Sequence, residues 1–203
     1  MTTQTPDDAV RRSLGFEPAA RAAFDEIAAT YGLAPAGSDA YNVHYASECL
    51  WLVVRHGLLS YELSLGLARR GHDDEQEHPY SLQDAMRVTV PEAAGGYRDF
   101  AATSSGAVGR GLRRLAADVE TYAEPALRCD EEFFAAMGRQ RSIAIEDIGR
   151  QTGRASEDAS ARDAMHHGDW RRVIAIYESR DALSRSEEKR LEIARRRAKP
   201  QSS

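Results

Sequence analysis

Hydrophobic and polar residues alternate in three short runs, Tyr41–Tyr45, Leu50–Val54 and Leu59–Leu65. A two-residue period puts one set of side chains on each face of a strand, so the runs predict an antiparallel three-stranded meander. With His56-Gly57 as the second loop, Val54 faces Leu59, Leu52 faces Tyr61 and Leu50 faces Leu63. A first loop centred on Ser47-Glu48 pairs Tyr45 with Leu50, Val43 with Leu52 and Tyr41 with Val54. Both loops turn the same apolar set to one face, which a one-residue slip would invert. The other face then holds Asn42, His44, Ala46, Cys49, Trp51, Val53, Arg55, Ser60, Glu62 and Ser64, with His44, Trp51 and Glu62 in one row.

Either side of the meander the period becomes helical. Ala20, Phe24, Ile27, Ala28 and Tyr31 form one stripe after Pro18, and Gly32 supplies a stop, so a helix is expected to cover the apolar sheet face. Ser81 followed by Asp84 reads as a capping box opening a short helix to about Arg87. Tyr97, Phe100, Ser104, Val108, Leu112, Leu115, Val119 and Tyr122 keep the spacing of a long helix, in which Gly106, Gly109 and Gly111 mark a kink or a close helix contact. Pro125 separates it from a helix carrying Leu127, Phe133, Phe134 and Met137, and Gly153 to Ala159 reads as a polar break.

The fold class expected is α+β: an N-terminal helix on a three-stranded antiparallel meander, then an α-helical second half ending in a helical hairpin. Residues 1–13 read as a disordered leader, 14–92 as the meander domain and 97–199 as a helical region packed on it, with a hinge between Val90 and Gly96.

The net charge of −5 is unevenly placed: residues 1–100 carry 15 Asp/Glu against 8 Lys/Arg, residues 101–203 carry 17 against 19. An acidic first half favours a basic partner and disfavours nucleic acid. The two cysteines, Cys49 and Cys129, lie far apart in different expected elements, which argues against a disulfide framework. No apolar run approaches a membrane span, and a cytoplasmic location is expected. Only two of the 27 basic residues are lysine, which with abundant Ala and Gly suggests a GC-rich bacterial source.

Candidate chemistry is sparse. His72, Asp73, Asp74, Glu75, Glu77 and His78 crowd metal-capable groups into one loop, yet their spacing matches neither an EF-hand nor a zinc motif. They read as a solvated acidic loop and, second, as a contact surface for a basic partner. His166-His167 suit a helix end, where imidazolium meets the helix dipole favourably. Cys49 has no oxyanion-hole motif near it, so no catalytic residue, metal or cofactor is assigned. The candidate partner-binding residues are His44, Trp51, Glu62, Asp73, Asp74, Glu75 and Glu77. The cations between Arg185 and Lys199 interleave with Glu187, Glu188 and Glu192, as on an ion-paired helix.

Two resemblances follow. Ala164 to Tyr177 is similar to the second helix of a tetratricopeptide-type hairpin and the turn before it, with Gly168-Asp169-Trp170 at the turn and Val173 and Tyr177 at packing positions. Ser184 to Ala198 would supply the next helix, with Leu191 and Ala194 inward. In general form the chain looks like bacterial immunity-type proteins, which implies non-enzymatic, stoichiometric binding of a toxin partner. Two alternatives stand beside it: an adaptor using Trp170 and Tyr177 to bind a peptide or helix, and an enzyme with a dispersed site such as His44, Glu62 and Arg55.

Overall fold

The computed structural model describes residues 12–58 and 60–198. The chain divides into two compact units, Met1–Ser142 and Ile143–Ser203. The architecture is α+β, as the pattern predicts. Residues 97–142 belong to the first unit, so the expected hinge at 90–96 lies inside it. Residues 1–11 of the expected leader fall outside the described residues, and Arg12 and Ser13 are helical.

The first unit opens with helix α1 (Phe16–Thr30), entered from Gly15 in the left-handed region. Phe16, Ala20, Phe24, Ile27 and Ala28 are buried, which is the predicted stripe extended by one turn. Four strands follow: β1 (Ala34–Ser38), β2 (Asn42–Ala46), β3 (Leu50–His56) and β4 (Glu62–Arg69). The short α2 (Asp73–Glu77), β5 (Tyr80–Ser81), α3 (Leu82–Thr89), α4 (Pro91–Ala94) and β6 (Phe100–Ala101) come next. The sheet runs β1-β2-β3-β4-β5, and β6 also pairs with β4.

The apolar face is the one expected, but the register is not. Val43 pairs with Val54 and Tyr45 with Leu52, so the pairing moves by two positions and the first turn centres on Glu48-Cys49. Leu52 pairs with Leu67, Val54 with Leu65 and His56 with Leu63, moving the second hairpin's pairing by six positions. Both shifts are even, so each side chain keeps its face. The observed register gives Leu65 and Leu67 cross-strand partners that the shorter loop would have left beyond the end of β3. Val43, Tyr45, Leu50, Leu52, Val54, Leu63, Leu65 and Leu67 are all buried.

β1 was not expected, because Ala-Pro-Ala-Gly-Ser carries no strand pattern. It is fully exposed along its length and pairs with β2 across an irregularity between Pro35 and Gly37, the kind of site where a sheet edge tolerates proline.

Helix α5 (Ser105–Tyr122) packs on α1 and β4, burying Val108, Leu112, Leu115 and Val119. Gly111 makes a close contact, with β4 and β6 rather than with another helix: a Cβ there would lie 2.5 Å from both Leu63 Cδ1 and Phe100 Cδ1. The capping box of α3 is also as predicted, Ser81 Oγ accepting from the Asp84 amide and Asp84 accepting from the Ser81 amide.

After α6 (Glu124–Leu127), helix α7 spans Glu131–His166, and the unit boundary falls within it at Ser142/Ile143. The break expected at Gly153–Ala159 is absent. The intervening Arg, Ala, Ser and Glu tolerate helix, and one exposed glycine costs only about 1 kcal/mol against alanine.

In the second unit α8 (Trp170–Glu178) and α9 (Arg185–Ala198) pack as a helical hairpin. Gly168 takes φ 73° at the turn and Asp169 caps α8 by accepting from the Arg172 amide. Ala161, Ala164, Val173, Tyr177, Leu191 and Ala194 form the core.

Candidate partner-binding face

The polar face of the sheet is ordered from within the first unit. Trp51 lies between Ala46 and Ala68 in the ladder, half-buried, with its ring 5.4 Å from that of His44. Val53 is buried, and Gly66 opposite it has no room for a Cβ, which would meet Pro79 Cγ at 2.8 Å and Val53 Cγ1 at 2.9 Å. Pro79 therefore covers the middle of this face and leaves the His44–Trp51 end beside it.

Burial lowers the His44 pKa, an effect opposed by Asp39 and reinforced by Arg55. Nδ1 of His44 is buried with no hydrogen-bond partner. A charged imidazole is thus disfavoured, and the pair presents a neutral aromatic surface. Arg55 continues the face between Asn42 and Ser64, its pKa lowered by burial.

The expected row does not form: His44 pairs with Val53 and Trp51 with Ala46, which makes the two diagonal neighbours, and Glu62 lies further off. Trp51 pairs with Ala68, and Val53, beside His44, pairs with Gly66; Glu62 stands four residues before Gly66, about 13 Å along the strand. It pairs instead with Ala101. The physical reason is the longer β3–β4 loop, closed by Gly57 N donating to Glu62 O at 2.8 Å, with Tyr61 at φ 56°. Glu62 instead lines a cleft of about 300 Å³ with Ser81, Gln83, Tyr97, Arg98 and Asp99, at the edge of β4 between β5 and β6. Partial desolvation raises the Asp99 pKa and Glu62 raises it further. Burial pushes Tyr97 up to about 12. Sequence reasoning missed this group because strands of two residues carry no periodic signal.

The acidic loop is an ordered turn of helix, and its carboxylates divide. Asp73, Asp74 and Glu77 are exposed. Glu75 is turned inward, accepting from the Arg69 amide and Nε, each at 3.0 Å, while Arg69 also pairs with Glu131. Burial alone would raise the Glu75 pKa, but the bonds from Arg69 outweigh it and the net shift is downward. Glu75 therefore belongs to the scaffold rather than the contact surface.

A second scaffold arginine, Arg141, donates to the carbonyls of His78 at 2.7 Å and Pro79 at 2.8 Å and to Asp84 at 2.6 Å. Its guanidinium stacks 4.2 Å from the Tyr80 ring centroid. Arg141 thus clamps the strap that carries Pro79. Among the described residues no three His, Cys, Asp or Glu side chains converge as a metal site.

Cys49 and Cys129 are joined in a disulfide, against the expectation from their separation of 80 residues. The fold brings the β2–β3 turn to the turn between α6 and α7, with a Cα–Cα distance of 6.1 Å. The bond also withdraws Cys49 from any role as a nucleophile. His167 pairs with Asp163 at the end of α7, the structural role read for it. No family model matches the chain, and no curated protein or solved structure matches it.

Proposed function

We propose that the chain is a non-enzymatic protein-binding module of the immunity type, which captures a basic partner with its first unit. The observation that carries this reading is charge. Residues 1–142 hold 21 Asp/Glu against 14 Lys/Arg, a net −7, whereas residues 143–203 hold 11 against 13, a net +2. Asp73, Asp74 and Glu77 project this charge beside the strap that covers the sheet. Such a field speeds encounter with a cationic surface, and the neutral Trp51–His44 pair supplies an aromatic anchor of the kind that dominates binding energy. The adaptor reading is weaker, because Tyr177 is wholly buried in the second unit's core and cannot line a groove.

The test begins with affinity capture and crosslinking of a partner. The triple variant Asp73→Asn, Asp74→Asn, Glu77→Gln should then associate more slowly at low ionic strength and with a flatter salt dependence. An on-rate indifferent to both the substitutions and salt removes the reading. Trp51→Ala should weaken capture by about 2 kcal/mol or more while the fold persists.

Among the described residues no helix is long and apolar enough to cross a membrane. A cytoplasmic chain would hold Cys49 and Cys129 reduced for most of its life, whereas an oxidising compartment would keep them joined. Cell fractionation with an intact-mass measurement of the thiol state distinguishes the two locations.

A further inference from the structure

The Cys49–Cys129 bond joins two turns that are each built without it. On one side Ser47 N donates to Leu50 O at 2.9 Å, and Ser47 Oγ accepts from the amides of Cys49 at 3.3 Å and Leu50 at 3.0 Å. The carbonyl of Cys49 accepts from the Arg70 amide at 2.8 Å. On the other side Cys129 N donates to Ala126 O at 3.0 Å, and Asp130 Oδ1 accepts from the Phe133 amide at 3.0 Å. Both cysteines thus sit in turns that carry hydrogen bonds of their own.

The two sulfurs are not equivalent. Cys49 is exposed, while Cys129 is half-buried and packed against the main core. They share a shallow, solvent-open cleft of about 530 Å³ with Tyr31, Gly32, Ser47, Glu48, Leu127 and Arg128. Access selects the direction of exchange, because Cys49 is the cysteine that an incoming thiolate reaches first.

We propose that this disulfide is a redox-addressable clasp with Cys49 as its entry sulfur. A thiolate of a small-molecule thiol or a dithiol oxidoreductase attacks Cys49 Sγ. The S–S bond breaks and its electron pair leaves on Cys129, which takes a proton from water. A second thiol of the reductant then resolves the mixed disulfide, so that two electrons and two protons enter the chain and the reductant departs as its own disulfide. Opening the clasp frees the β2–β3 turn from the α6–α7 turn, two residues from Trp51. The consequence for capture rests on the protein-binding reading, whereas the chemistry at Cys49 does not.

The experiment uses the full chain with reduced glutathione, quenched in acid and mapped by peptide mass. The expected result is a glutathione adduct on Cys49 at least tenfold above that on Cys129, with the circular dichroism of the folded state retained after full reduction. Hydrogen exchange of amides 46–51 should accelerate about tenfold on reduction. Glutathione disulfide should modify Cys49 readily in Cys129→Ser, and modify Cys129 slowly in Cys49→Ser. An adduct chiefly on Cys129, a bond that opens only in denaturant, or loss of the fold on reduction overturns the proposal. Because none of these measurements needs the partner, failure of the clasp and failure of the protein-binding reading are separable.

Discussion

The two units solve the problem of a stable interior in different ways. The first buries aromatic and branched side chains from a sheet and the helices around it, among them Phe16, Phe24, Tyr45, Phe134 and a set of leucines. Its ion pairs fasten loops through Arg69 and Arg141, with Asp84 the one buried carboxylate among them. The second has six buried residues in its core, three of them alanine. There a charge takes the interior position: the Arg180 side chain is only 4% exposed, paired with Glu157 at 2.9 Å, Asp158 at 2.9 Å and Glu187. Glu187 also closes a capping box with Ser184 at the start of α9. Where apolar area is scarce, one arginine shared among three carboxylates specifies how the hairpin closes, and it makes the unit fragile to loss of that arginine.

The largest expected effect tests that contrast. Arg180→Ala leaves three carboxylates facing one another in a partly dry site and should cost about 3–5 kcal/mol, enough to melt the second unit. Hydrogen exchange should show lost protection confined to residues 143–198, with the first unit's strands unchanged. Protection retained throughout would mean that the cluster is ornamental and the small core sufficient.

The corresponding cut in the first unit is apolar. Leu63→Ala removes a side chain that fills the space over Gly111 and should cost about 2–5 kcal/mol, read as a shift of denaturant midpoint. Gly111→Ala attacks the same contact from the other side, and a Cβ at 2.5 Å from Leu63 and Phe100 should cost about 1–3 kcal/mol. The pair of changes should be strongly non-additive, because Leu63→Ala opens the space that Gly111→Ala fills. Additive losses would place α5 elsewhere on β4.

Acid should act on the first unit through Asp84. Burial alone would raise its pKa, but hydrogen bonds and charge from Arg141, with bonds from Ser81, bring the net value below the ordinary one. A depressed folded pKa contributes stability that is present above the unfolded value of about 3.9 and lost as pH falls through the folded value. Melting curves from pH 6 to 3 should therefore steepen their decline below about pH 4, and Asp84→Asn should flatten that decline while lowering stability at pH 7. An unchanged slope would remove Asp84 from the acid transition.

Features that rest on local chemistry were legible in the sequence. The apolar face of the meander, the α1 stripe and the Ser81–Asp84 capping box all follow from spacing and side-chain type. Features that rest on pairing at a distance were not. An even register shift leaves alternation unchanged, so the row linking His44 and Trp51 to Glu62 could be wrong while every face was right. β5 and β6 exist because β4 offers them an edge, and the disulfide because two turns meet. Glu75 looks like its neighbours until Arg69 reaches it. The candidate face was thus readable as a list of residues on one side, and unreadable as a set of neighbours.

The smallest effect concerns the helix that passes through the expected break. Gly149 and Gly153 lie within α7 with open space around the position of a Cβ and no positive φ to demand glycine. Alanine loses less backbone freedom on folding than glycine and keeps the helical geometry unstrained. Gly153→Ala should therefore stabilise the second unit by about 0.5–1 kcal/mol, seen as slower hydrogen exchange across residues 149–160 and unchanged stability of the first unit. The same change would be destabilising if the chain needed a bend at Gly153–Ala159, so its sign separates a continuous α7 from a broken one.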